Sequence, residues 1–151
     1  MLDLRFKKAK QEAEVIPGLM RQARRVLVEA RSHRFPIDLF PDTIKVDEEK
    51  VTVITRPFLL SSEVHGVDLK DVTNVFINTS PFFAQLVVVS KTFEENIIQI
   101  NSMWIKDATY VRRIIEGMRV MINNKIDTSV YSKTELMAKL EELSVTDEAV
   151  D

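Results

Sequence analysis

Thr43-Ile44-Lys45-Val46-Asp47 opens the stretch, residues 43–122, whose reading decides the fold. Apolar and polar residues alternate there, as they do in a half-buried strand, where successive side chains point to opposite faces. Glu48-Glu49 reads as a hairpin connection, and Val51, Val53 and Thr55 share one face of the returning strand. Proline has no N–H for a central ladder, so Pro57 marks a strand end. Residues 63–69 follow, with His65, Val67 and Leu69 on one side. Residues 72–79 and 83–91, rich in β-branched and aromatic side chains, flank the turn signal Ser80-Pro81. Glu94-Glu95-Asn96 then turns the chain into 97–102, where Ile98 and Ile100 alternate with Gln99 and Asn101. No helix-length segment separates these runs, so they predict a meander of antiparallel hairpins.

The period then changes. Val111, Ile114, Ile115, Met118, Met121 and Ile122 fall on one face of a helix, Arg112, Arg113, Glu116 and Arg119 take the outer face, and Asp107 stands where an N-cap belongs. A sheet curled on itself has open ends, and an apolar helix face can plug one of them. In this order of elements the chain resembles the pleckstrin-homology-like barrel, particularly its bacterial and GRAM-like members. The resemblance is carried by Val67-Asp-Leu-Lys-Asp-Val-Thr-Asn-Val75, by the hairpin over 83–102 and by the capping helix over 107–122, and it spans 42–122. It implies an α+β fold: an antiparallel barrel of six or seven strands capped by a helix at 107–123. It does not transfer a ligand. Phosphoinositide-binding members concentrate Lys and Arg between their first two strands, and the corresponding turn here, Asp47-Glu48-Glu49-Lys50, is acidic.

Bulk properties set the outer bounds. The chain has 151 residues, one domain's worth, with 45% hydrophobic and 29% charged residues, an ordinary globular composition. With no cysteine there are no disulfides, thiolate nucleophiles or cysteine metal sites, which suits a reducing compartment. No apolar run reaches membrane-spanning length and the N-terminus is charged, so the expectation is a soluble, unprocessed, cytoplasmic chain, peripheral to the membrane at most. Three segments follow from the patterning: a basic helical segment (1–34), the barrel with its capping helix (35–123) and a C-terminal helix with an acidic tail (124–151).

Net charge is only −2 but unevenly placed. Residues 1–34 carry nine Lys/Arg against four Asp/Glu, whereas 133–151 carry two against six. The front reads as two helices interrupted at Pro17-Gly18, the second bearing a stripe of Leu19, Met20, Ala23, Val26, Leu27 and Ala30. Two readings stand. The stripe packs on the barrel or on a second copy of the chain, or the helix lies on an anionic membrane through Arg21, Arg24, Arg25, Arg31 and Arg34. Residues 32–41 form a connector with two Phe-Pro steps, and Phe35, Leu39 and Phe40 anchor it to the core. At the other end, Ser132-Lys133-Thr134-Glu135 is a capping box, and the stripe Leu136, Met137, Leu140 and Leu143 requires a docking surface, on this chain or a partner. Residues 145–151 read as a frayed acidic end.

Little here points to chemistry. His33 and His65 lack metal-ligand spacing, and Gly18, Gly66 and Gly117 stand too far apart for a phosphate loop or dinucleotide fingerprint. The pairs Glu48-Glu49, Glu94-Glu95 and Glu141-Glu142 are adjacent residues, suited to solvation rather than acid–base work. The reading is therefore a non-enzymatic, self-associating protein-interaction module without catalytic residue, metal or cofactor, and with no small-molecule substrate inferred. Its alternative is a peripheral membrane module. Nucleic acid is disfavoured, since no aromatic run accompanies the basic stripe. Phe82 and Phe83, beside a hairpin tip, complete the candidate surface: alternation of faces leaves one of them open as a membrane or partner wedge, unless the N-terminal helices bury them, which is the favoured reading.

Overall fold

In a computed structural model, residues 25–33, 39–58, 60–91 and 97–148 are described. Seven strands run in chain order: β1 (Val26–Arg31), β2 (Thr43–Asp47), β3 (Lys50–Phe58), β4 (Ser61–Asp68), β5 (Val72–Thr79), β6 (Phe83–Ser90) and β7 (Ile97–Trp104). Two α-helices follow, α1 (Ile105–Asn123) and α2 (Lys133–Glu148). The strands form two antiparallel sheets, ordered β1-β2-β3-β4 and β5-β6-β7, rather than one closed barrel. The α+β class and the meander of hairpins are as expected from the alternation. The single curled sheet is corrected to two sheets meeting at corners. At one corner the His33 N–H donates to the Ser102 carbonyl (2.6 Å), and at another the 3-10 turn Leu69–Asp71 carries the chain from β4 into β5.

α1 closes the structure as its period demands. Val111, Ile114, Ile115, Met118 and Met121 are buried, and the helix rests on β1, β2, the 3-10 turn Leu69–Asp71, β5, β6 and β7. Facing them are Ile44 and Val46 of β2, Val75 of β5, Leu86 and Val88 of β6 and Ile100 of β7. Removing this much apolar surface from water is the main stabilising term. Asp107 is not the N-cap. Trp104 holds that position with extended backbone and no side-chain cap, and Asp107 lies in the first turn, where a carboxylate still complements the helix dipole.

The largest correction lies at the front. Val26–Arg31 is a strand, not the second half of a helix, and pairs antiparallel with β2 from Val26↔Asp47 to Arg31↔Thr43. Residues 1–24 fall outside the described residues, as do 34–38 of the connector. The ladder slips by one residue between Val26 and Val28, a β-bulge that turns Leu27 inward beside Ala30. That gives the strand the three-residue apolar spacing of a helix, which is why periodicity misread it. The extra strand also moves Asp47-Glu48-Glu49-Lys50 to the connection between the second and third strands. The connection between the first two is 32–42, whose sequence holds a single arginine, Arg34, and no lysine. The turn at Glu48-Glu49 itself is as expected, its tip fixed by Asp47 Oδ1 accepting from the Glu49 and Lys50 N–H groups (both 2.8 Å).

The C-terminal capping box forms as written. Ser132 N–H donates to Glu135 Oε2 (2.8 Å), and Glu135 N–H donates to Ser132 Oγ (3.2 Å). α2 docks on α1 of the same chain, burying Leu136 and Leu140 with Met137 and Leu143 beside them, and its backbone stays helical to Glu148. Between the helices the chain makes a Schellman turn. Ile126 N–H donates to the Met121 carbonyl (3.0 Å) and Lys125 N–H to the Ile122 carbonyl (3.1 Å), with Lys125 at φ 54°. A side chain in the left-handed region costs about 1–2 kcal/mol that glycine avoids, less what glycine loses in chain entropy. Lys125→Gly is therefore expected to raise stability by about 1 kcal/mol in urea unfolding; an unchanged or lower midpoint contradicts this account of the turn.

Candidate functional site

Of the predicted basic face, Arg21, Arg24 and Arg34 lie outside the described residues. Arg25 and Arg31 are placed, and they do not form one face. They flank or end the six residues of β1, about 20 Å apart at strand rise. Arg25 is turned into the protein, where it forks onto Glu48 and reaches the carbonyls of Thr128 and Tyr131. Burial alone pushes the Glu48 carboxyl up, but bonds from Arg25 and Thr128 and the guanidinium charge hold it below the usual carboxylate range. The hydrogen bond to Glu48 raises Arg25 further, so both groups stay charged through the neutral range. Arg31 is open to water, its side chain 64% exposed, with Glu29 of its own strand 3.6 Å away and Lys45 across the ladder 3.7 Å from Glu29.

The two phenylalanines are placed at the tip of the β5–β6 hairpin, as expected. Ser80 closes that tip, its N–H and hydroxyl both donating to the Phe83 carbonyl (2.8 and 2.9 Å). Pro81 stiffens the turn, and Phe82 stands out 74% exposed. Phe83 lies half-buried against Trp104, ring centroids 5.2 Å apart, and Trp104 meets His33 at 5.4 Å. Trp104, 42% exposed, and the neighbouring Ile105 extend the patch.

Trp104 reaches this corner because of a second bulge. Ala84 pairs with Met103 but Leu86 pairs with Ile100, so Asn101 and Ser102 together oppose Gln85. Ser102 takes the extra residue at φ 56°. Ile98 and Ile100 point inward, and strict alternation would carry Ser102 and Trp104 inward as well. The added residue inverts the parity, sending Met103 into the core and Trp104 to the surface. A serine gives no sequence signal for this conformation, and so Trp104 was missed.

A second exposed feature is β4, which among the described residues is the outermost strand of the four-stranded sheet. It pairs with β3 from Lys50↔Asp68 to Phe58↔Ser61, with an irregularity between Thr55 and Phe58 where Pro57 interrupts the ladder. Ser61, Ser62, Glu63 and Val64 are all exposed, Val64 at 63%. On its inner side His65 Nε2 stands 3.6 Å from Glu63. There a cleft of about 230 Å³ opens between Val53, Thr55 and His65 on one side and Ile97, Ile98 and Gln99 on the other.

No protein-family model, curated protein or solved structure matches the chain. Function must therefore be argued from these surfaces. Among the described residues no group of three His, Asp or Glu is arranged to hold a metal ion, and no helix is long and apolar enough to cross a membrane.

Proposed function

We propose that this chain is a non-enzymatic protein-interaction module that associates with itself, built on a pleckstrin-homology-like arrangement. The order of four strands, three strands and a helix laid across both sheets supports that architecture. What carries the functional reading is a set of apolar side chains held exposed on strands and at a tight hairpin tip: Val64, Phe82 and Trp104. Side chains fixed on such a framework lose little further freedom when they meet a partner, so their burial converts efficiently into affinity. Light scattering on the full chain over a wide concentration range tests self-association. The expected result is a mass rising above the monomer's, and a monomeric mass at every concentration overturns the reading.

A second reading, attachment to an anionic membrane surface, is favoured by one observation. Phe82 and Trp104 form an aromatic prominence, and exposed Arg31 lies two residues from His33, whose ring touches Trp104. Amphipathic aromatics beside cations suit a headgroup layer. On this reading Phe82→Ser is expected to lower co-sedimentation with anionic vesicles at least fivefold without changing the unfolding midpoint. Equal sedimentation of the two proteins removes Phe82 from any such contact.

A further inference from the structure

We infer that β4 is the self-association surface, and that two copies join through it in one antiparallel register with Val64 on the two-fold axis. This rests on the self-association proposed above and names the surface and its geometry. An outermost strand presents unpaired backbone N–H and C=O groups, a ready template for another strand. Natural edges are commonly blunted by proline, by lysine or by an inward-pointing charge; the inward carboxylate of β4, Glu63, has His65 3.6 Å away. Within Ser61-Ser62-Glu63-Val64-His65-Gly66-Val67-Asp68 there is neither proline nor lysine, and an apolar valine stands on the open outer side.

The occupant and register follow from the order of charges along this strand. A two-fold axis perpendicular to the sheet keeps each copy's α1 on the same side of a continuous eight-stranded sheet, and it requires a residue to face its own copy. With Glu63 on the axis, two carboxylates face each other, which is destabilising. With His65 on the axis, two imidazoles oppose each other and Glu63 faces the buried Val67. With Val64 on the axis, valine meets valine on the outer face. Glu63 then meets the other copy's His65 twice on the inner face, and small Ser62 meets Gly66. Of the three, only this last register sets Glu63 opposite a hydrogen-bonding imidazole rather than a second carboxylate or a buried apolar side chain. A Cβ at Gly66 would come no nearer than 4.0 Å to a neighbouring atom, so no crowding at Gly66 opposes the approach. The Glu63–His65 contact already present within one strand is extended by the register into a four-membered row of alternating groups.

The chain has no cysteine, so a single introduced thiol reports the register directly. Under mild oxidation of the full chain, Val64→Cys is expected to cross-link into a dimer, because residues facing each other across an antiparallel pair have Cβ atoms about 5 Å apart. Ser61→Cys faces Val67 of the other copy and lies about 20 Å from its own counterpart, so it should stay monomeric on denaturing gels. In light scattering, Val64→Lys should raise the dissociation constant at least tenfold with an unchanged unfolding midpoint, since the side chain is exposed in the monomer. Dimers that form equally from Val64→Cys and Ser61→Cys overturn the register. A mass above the monomer's that Val64→Lys leaves intact overturns β4 as the surface while sparing self-association. A wild-type chain that never exceeds the monomer removes both.

Discussion

Gly117→Ala is expected to destabilise the protein by about 2–3 kcal/mol, although alanine is the better helix former by about 1 kcal/mol. Gly117 is buried in the middle of α1 where α2 crosses it. A Cβ built there would stand 2.6 Å from the Leu140 carbonyl oxygen, 2.9 Å from Leu140 Cα and 3.0 Å from its Cβ. The first two are backbone atoms, so no rotamer change relieves the clash. The helices must separate, and separation uncovers Leu136 and Leu140, which are completely buried in the native packing. Burial of a leucine side chain is worth about 1.5–3 kcal/mol, so even partial loss at two positions outweighs the gain in propensity. Urea unfolding of the variant should show a lower midpoint, and hydrogen exchange should quicken over 133–148 before it does over α1. A variant as stable as the parent would mean that α2 does not sit against Gly117 as described.

The same position shows what a sequence discloses and what it withholds. The stripe from Val111 to Met121 and the reciprocal cap of Ser132 with Glu135 are local patterns, set by the geometry of one helix, and both could be read directly. Most strands were legible for the same reason, through two-residue alternation. Gly117 carried no such mark, because its importance lies in an approach by Leu140, a residue on a different helix. Bulges defeated the reading elsewhere. Leu27 and Ala30 mimic helical spacing because one residue is inserted in β1, and Trp104 faces outward because one is inserted in β7. Ser80-Pro81 marked a hairpin tip at which alternation could expose one phenylalanine, but not that it would be Phe82. Arg25 was misplaced for want of any local clue, its partner Glu48 lying 23 residues away and its carbonyl acceptors more than a hundred.

Arg25 is also where the second large effect is expected. Its Nε and Nη2 donate to the two oxygens of Glu48 (3.1 and 2.8 Å), Nη1 to the Tyr131 carbonyl (2.8 Å) and Nη2 to the Thr128 carbonyl (3.0 Å). One side chain thus ties the start of β1, the β2–β3 hairpin and the segment between the helices. The Glu48 side chain is 7% exposed and that of Arg25 19%. Arg25→Met keeps much of the volume and removes the charge, leaving a nearly buried carboxylate without its cation. Breaking a fully buried pair costs about 3–5 kcal/mol, and the partial solvent access of the arginine lowers the expectation here to about 2–3 kcal/mol at pH 7. The pH dependence follows from linkage. Because Glu48 is held below its ordinary value of 4.5, its contribution is fully present above that value and is lost as the pH falls through the lower folded one. In Arg25→Met, burial is opposed only by the bond from Thr128 and Glu48 takes up a proton at higher pH than in the parent, so the variant is relieved where the parent begins to weaken. The stability gap between parent and variant should therefore be widest near neutrality and close below about pH 4. Adding Glu48→Gln to Arg25→Met removes the stranded charge and should recover part of the loss at pH 7. A gap that does not change with pH, or a double variant no more stable than Arg25→Met, would show that Arg25 acts through its carbonyl contacts alone.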